Sequence, residues 1–81
     1  MASVPTPNRT LDCRGSIYPA PILKAKRALD QMSAGETLEV LATDKNTKPD
    51  LKVWAEKAHA ELMEIVDAPD GSFSFFVRKM A

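Results

Sequence analysis

Apolar and polar positions change period several times along this chain, and each change marks an element. Thr10–Cys13 ("TLDC") alternates polar and apolar, with Leu11 and Cys13 on one face, as a short strand does. Arg14-Gly15-Ser16 follows as a turn, and Gly15 is the residue there that reaches positive φ without steric cost. From about Pro19 to Met32 the period is helical. Ile22, Ala25, Leu29 and Met32 form one stripe, while Lys24, Lys26 and Arg27 lie towards solvent. Gly35 is expected to close this helix as a C-terminal cap. Alternation returns over Glu36–Asp44, with Leu38, Val40 and Ala42 inward. A second helix opens in "NTKPDLKVWAEKAHA", where Thr47 and Asp50 have the spacing of a capping box. Leu51, Trp54, Ala55 and Ala58 make its buried stripe. Glu61–Ala68 reads as a third strand and Pro69–Gly71 as a tight turn. The stretch from Ser72 to Met80 reads as a fourth strand, with Phe73, Phe75 and Val77 on one face.

The order is β-α-β-α-β-β. Strands joined through a helix pair or neighbour in parallel, and a tight turn makes the last pair antiparallel. The predicted class is therefore α+β: a two-layer α/β sandwich with two helices packed on one face of a four-stranded mixed sheet. Residues 1–9, with Pro5 and Pro7, read as a flexible N-terminal lead-in, and residues 10–81 as a single domain. A domain this short leaves only a few kcal/mol of stability.

Composition narrows the function by exclusion. Eleven basic residues balance eleven acidic ones, which argues against a protein held to nucleic acid by phosphate neutralisation. No direct sequence-specific nucleic-acid binding is expected. No apolar run approaches the roughly 20 residues of a membrane helix. The start "MASVPTPNRT" lacks the basic and apolar regions of a secretory signal, so a cytoplasmic location is expected. Cys13 is the only cysteine, which rules out an intrachain disulfide. One cysteine and one histidine do not supply the four ligands of a structural zinc site, and no phosphate-cradling glycine loop is present. The reading assigns no metal and no cofactor.

The stretch Leu11-Asp12-Cys13-Arg14-Gly15-Ser16-Ile17-Tyr18-Pro19-Ala20-Pro21-Ile22-Leu23 resembles the signature of the TusA/SirA-like sulfur-carrier family, where the pattern reads Leu-Asp-x-x-Gly-x-x-Cys-Pro-x-Pro. The likeness continues through "AGETLEVLATD", "DLKVWA", "AEL" and "FSFFVRK", and so spans about Leu11 to Lys79. The resemblance implies a small cytoplasmic sulfurtransferase-type carrier that holds sulfur as a persulfide on the motif cysteine. Its implied partners are a cysteine desulfurase or another sulfurtransferase. Its implied destinations are tRNA thiolation, cofactor assembly and sulfur oxidation. By this resemblance the motif residues are Asp12, Arg14, Gly15, Pro19 and Pro21. The physics of the motif agrees: prolines at a helix start forfeit only N–H groups that lack helical partners, and the positive helix end favours a negative atom just before Pro19. A cysteine there has a lowered pKa.

The chain departs from that pattern at the carrier position, which is Tyr18. A phenol with a pKa near 10 is ionised in roughly one molecule in a thousand at pH 7, and it has no sulfur to carry. No intact catalytic residue is therefore expected, and Tyr18 is expected to cover the helix mouth. Cys13 is the alternative thiol, but its place on the strand's inward face reads as a small buried hydrophobe. Lys45 stands where the family commonly has proline, and His59 where it commonly has the glycine of a left-handed helix cap. The resemblance puts the first helix start and the loop after the second strand at one end of the sheet, so Tyr18, Asp44 and Lys45 are expected to be neighbours. Three readings follow: a carrier-family protein disabled in persulfide transfer, a non-catalytic binding or regulatory member, or an engineered scaffold that uses Tyr18, Lys45 or His59. The cluster Lys24-Lys26-Arg27 reads as a solvated face, with docking to acidic partner surfaces or tRNA as the rival role.

Overall fold

The computed structural model describes residues 5–80. The strands are β1 (Arg9–Asp12), β2 (Thr37–Ala42), β3 (Ala60–Asp67) and β4 (Phe73–Lys79). The helices are α1 (Ala20–Asp30) and α2 (Leu51–Lys57), the second preceded by a 3-10 segment, Lys45–Asp50. Residues 1–4 of the expected lead-in lie outside the described residues. Pairing starts earlier than the sequence boundary placed it. Arg9 is already in β1, and Asn8 exchanges two hydrogen bonds of 2.8 Å with Thr37 through its N–H and Oδ1.

The sheet order is β1-β2-β4-β3, with β1 parallel to β2 and β4 antiparallel to both of its neighbours. Because β2 and β3 each run opposite to β4, they run the same way as each other. Each helix thus returns between two strands of like direction, and both helices start at the same end of the molecule. Leu38, Val40 and Ala42 of β2 and Phe73, Phe75 and Val77 of β4 meet Ala25, Ala28, Leu29, Leu51 and Ala55 of the helices in one core. Trp54 closes that core against Phe75, ring edge to ring face at 6.2 Å. The expected α+β two-layer sandwich is the observed fold.

Two local expectations need correction. Gly35 does not cap α1: the helix ends at Asp30, and Gly35 sits further on, at φ 89°, in the turn into β2. The carbonyls at the end of α1 find a partner from the far end of the chain instead. Lys79 Nζ donates to Leu29 O at 2.9 Å and to Met32 O at 2.8 Å, a cation at the negative helix end. The Thr47–Asp50 capping box does not form either. Asp44 caps the 3-10 segment, accepting from Asn46 N–H, and Asp50 makes no capping bond. Thr47 is instead fully buried within the segment, and its Oγ1 has no hydrogen-bond partner among the described residues. Phe76 is also buried, at 2% exposed. It lies on the helix-free face, opposite Glu39 and Glu64 on its two neighbouring strands.

Two stability predictions follow from the backbone. His59 follows α2 with φ 56°, the left-handed region that costs a residue with a Cβ roughly 1–2 kcal/mol. After the greater chain entropy of glycine is subtracted, His59→Gly is expected to stabilise the fold by about 0.5–1 kcal/mol, read as a higher urea midpoint. Thr47→Val keeps the shape and removes the unpaired hydroxyl. It is expected to raise the unfolding free energy by about 1 kcal/mol, whereas Thr47→Ser, which keeps the hydroxyl and opens a void, lowers it.

Candidate functional site

The site is assembled where the two helices begin. After β1 the chain turns at Gly15, whose φ of 85° favours glycine and whose N–H donates to Thr43 Oγ1 at 2.9 Å. Just before it, Asp12 and Arg14 close a local fork. The Arg14 amide and Nε donate to Asp12 Oδ1 at 3.0 and 2.9 Å, and Nη2 donates to Oδ2 at 2.8 Å. The fork holds the Asp12 carboxyl down at about 2, through the guanidinium hydrogen bonds first and the backbone bond second. The motif aspartate and arginine are thus spent on shaping the turn.

Tyr18 comes next, and its main chain and side chain are held by different acids. Its N–H donates to Asp44 Oδ2 at 2.7 Å, while Asp44 Oδ1 accepts from Asn46 N–H at 3.0 Å. These two backbone donors lower the Asp44 pKa. The phenol does not cap α1, which has no side-chain cap at all. It spans to the start of the second helix, where its hydroxyl donates to Asp50 Oδ2 at 2.9 Å. That bond, and then the carboxylate's charge, push the Tyr18 pKa up from its ordinary value. With its pKa raised, the phenol keeps its proton at neutral pH. It works here as a tie between two helix starts.

The prolines frame this turn. Pro19 is the N-cap residue of α1, after a cis peptide bond from Tyr18, and Pro21 lies in the first turn, where a missing N–H costs nothing. Ala20 N–H is taken by Ile17 O at 2.9 Å and Leu23 N–H by Pro19 O at 3.0 Å. Lys45 follows Asp44, is exposed, and forms no ion pair among the described residues. His59 is exposed at the opposite end of α2 from Asp50, so it is not part of this assembly. Cys13 is 1% exposed within the core, and desolvation raises its thiol pKa. Buried neutral sulfur of this kind is inert.

Sequence reasoning missed two members of the site. Asp50 was read as half of a capping box and is the acceptor for the Tyr18 hydroxyl. Trp54 was read as core; it is half-buried and lines a groove between the helices with Tyr18, Ile22, Asp50, Val53 and Lys57. The spacing of Asp50, Val53, Trp54 and Lys57 at i, i+3, i+4 and i+7 was the available signal, since those positions share one helix face. Among the described residues no group of three His, Cys, Asp or Glu side chains is placed to hold a metal ion.

The fork gives a pH prediction. Because the folded Asp12 pKa lies below the ordinary carboxylate value near 4, its contribution to stability is fully present above that value and is lost as pH falls through 2. Carbon-detected NMR titration is expected to place the Asp12 midpoint near 2, and Arg14→Gln to move it up towards the ordinary value.

Comparison with known proteins places this architecture. The family model described as Sulfurtransferase TusA matches residues 9–79. The sulfur carrier protein TusA of Allochromatium vinosum is 39% identical over 72 residues, covering 89% of this chain and 93% of its own. The Bacillus subtilis protein YrkI is 36% identical over 72 residues, covering 89% of this chain and 95% of its own. In structure, the SirA-like protein of Desulfitobacterium hafniense superposes with a TM-score of 0.78 at 24% identity, over 90% of this chain and 99% of that one, a likeness of fold. No helix among the described residues is long and apolar enough to cross a membrane. With the match running from β1 to the end of β4, the chain belongs to the TusA sulfurtransferase family of sulfur carrier proteins.

Proposed function

We propose that this chain keeps the family's scaffold for meeting sulfur-transfer proteins but does not carry sulfur at position 18. The observation that carries the reading is the phenol itself. Tyr18 supplies no sulfur atom, and its hydroxyl is committed to Asp50. A persulfide needs a thiolate that reaches a donor's sulfur, and the chain's one thiol is buried with its pKa raised. What remains at this end of the molecule is a surface. Ile17, Leu23 and Val53 are large apolar side chains left more than half exposed: Ile17 precedes Tyr18 in the chain, Val53 lines a groove with it, and Leu23 lines the next slot along α1. Clustered exposed apolar side chains of this kind mark contact surfaces more often than isolated ones do. The chain therefore acts as a partner of a cysteine desulfurase or other sulfurtransferase without completing a relay, in whichever sulfur pathway that partner serves.

The test is incubation with a cysteine desulfurase and isotopically labelled cysteine, followed by intact-mass and peptide mass spectrometry. The unsubstituted chain is expected to gain no sulfur, and Tyr18→Cys to gain one sulfur atom at residue 18. Labelled sulfur on Cys13 of the unsubstituted chain would overturn the reading. Retention on an immobilised desulfurase is measured in parallel, and loss of retention by both forms removes the docking half of it.

A further inference from the structure

The interhelical groove has a chemistry of its own. Its walls come from parallel helices, and its volume is about 360 Å³ at the Tyr18 end. It runs on into an apolar slot of about 250 Å³ floored by Ile22 and Trp54, where Leu23 and Lys26 of α1 face Lys57 of α2. The groove is open to solvent along its length, which suits side chains delivered by a second macromolecule better than an enclosed small molecule. Leu23 is 63% exposed and Val53 56%, an unusual outlay of apolar surface on so small a domain.

The charges around it are unequal. Lys26 and Lys57 flank the slot, and Lys24 and Arg27 flank Leu23 on its other side. Against these four bases stand two acids: Asp30, which pairs with Lys26 Nζ at 2.5 Å, and Asp50, which accepts the Tyr18 hydroxyl and keeps its charge at that end. The excess is therefore positive and lies with Lys57, Lys24 and Arg27. Lys57 has no ion pair among the described residues.

We propose that this groove docks an acidic segment of a partner protein that carries large apolar anchor side chains. The anchors enter between Ile22, Val53 and Trp54, and carboxylates on either side of them meet Lys57 and the bases of α1. Tyr18 serves as the end wall, held upright by Asp50, so the residue that removes sulfur chemistry adds apolar contact. Complementary charge of this kind acts chiefly on choice of partner and on association rate, so a basic segment with the same anchors is rejected. Nucleic acid is the weaker fit, because the slot is apolar and Asp50 closes one end of it. The proposal specifies the docking reading given above and rests on it for the partner's identity, but the groove's preference is measurable without that partner.

The experiment uses the full chain, labelled with ¹⁵N, and three probes. Two are twelve-residue peptides with the same leucine and phenylalanine anchors, one with glutamates and one with lysines at the remaining positions. The third is an eight-nucleotide single-stranded RNA. Amide shifts are followed together with emission of Trp54, the only tryptophan. The acidic peptide is expected to shift Tyr18, Ile22, Leu23, Val53 and Lys57 and to bind at least tenfold more tightly than the basic one. The double variant Lys26→Glu/Lys57→Glu is expected to reverse that order while its spectrum stays dispersed. Equal binding of the two peptides, shifts confined to the helix-free sheet face, binding by RNA alone, or an unchanged order in the double variant would each overturn the proposal. Failure to capture a desulfurase, with the peptide preference intact, would count against the docking partner and leave the groove's chemistry standing.

Discussion

One carboxylate, that of Asp44, sets the geometry at the working end of this molecule. Its two oxygens receive backbone N–H groups from opposite directions, Tyr18 ahead of α1 and Asn46 ahead of α2. The approach to α1 is thereby fixed, across 26 residues of sequence from Tyr18 to Asp44, against the same short acid that caps the segment leading into α2. Backbone donors lower its pKa, so the acid stays ionised across the neutral range and the tie is not loosened there. The side chains that follow from each start, Tyr18 on one and Asp50 on the other, are brought within hydrogen-bond reach as a consequence. Position 18 is therefore specified by the backbone around it, whatever side chain occupies it.

That separation of scaffold from cargo explains how a family fold persists with its reacting atom gone. The core, the turn at Gly15, the Asp12–Arg14 fork and the prolines are satisfied internally and make no use of a thiol at residue 18. A large aromatic is accommodated because the site faces solvent: Tyr18 is 41% exposed, and its ring extends along a groove. The same substitution inside a packed core would force neighbours off their rotamers.

The fold was legible in the sequence because period-2 and period-3.6 patterns alternate cleanly, and the strands and helices fall where those patterns put them. The misses share one cause, which is that each depends on a contact with no local signature. Lys79 reaches α1 across 50 residues, and the hydroxyl of Tyr18 reaches Asp50 across 32. Asp50 sits at capping-box spacing, but Asp44 already holds the cap of the preceding 3-10 segment. Phe76 keeps the alternation but is buried on the face the helices leave open, where it is paired with Glu39 and Glu64 of the two strands that flank it. At the site, the sequence located Tyr18 and its prolines, while Trp54 and Lys57 needed the second helix to be docked beside the first.

The last strand in the chain occupies an interior place in the sheet, between β2 and β3. A nascent or truncated polypeptide that stops before residue 73 thus has no bridge between its first two strands and its third. Its two halves share no hydrogen-bonded ladder, and Phe73, Phe75 and Val77 are missing from the middle of the core. Closure of both the sheet and the core therefore waits on β4, the element that joins the two halves of the fold.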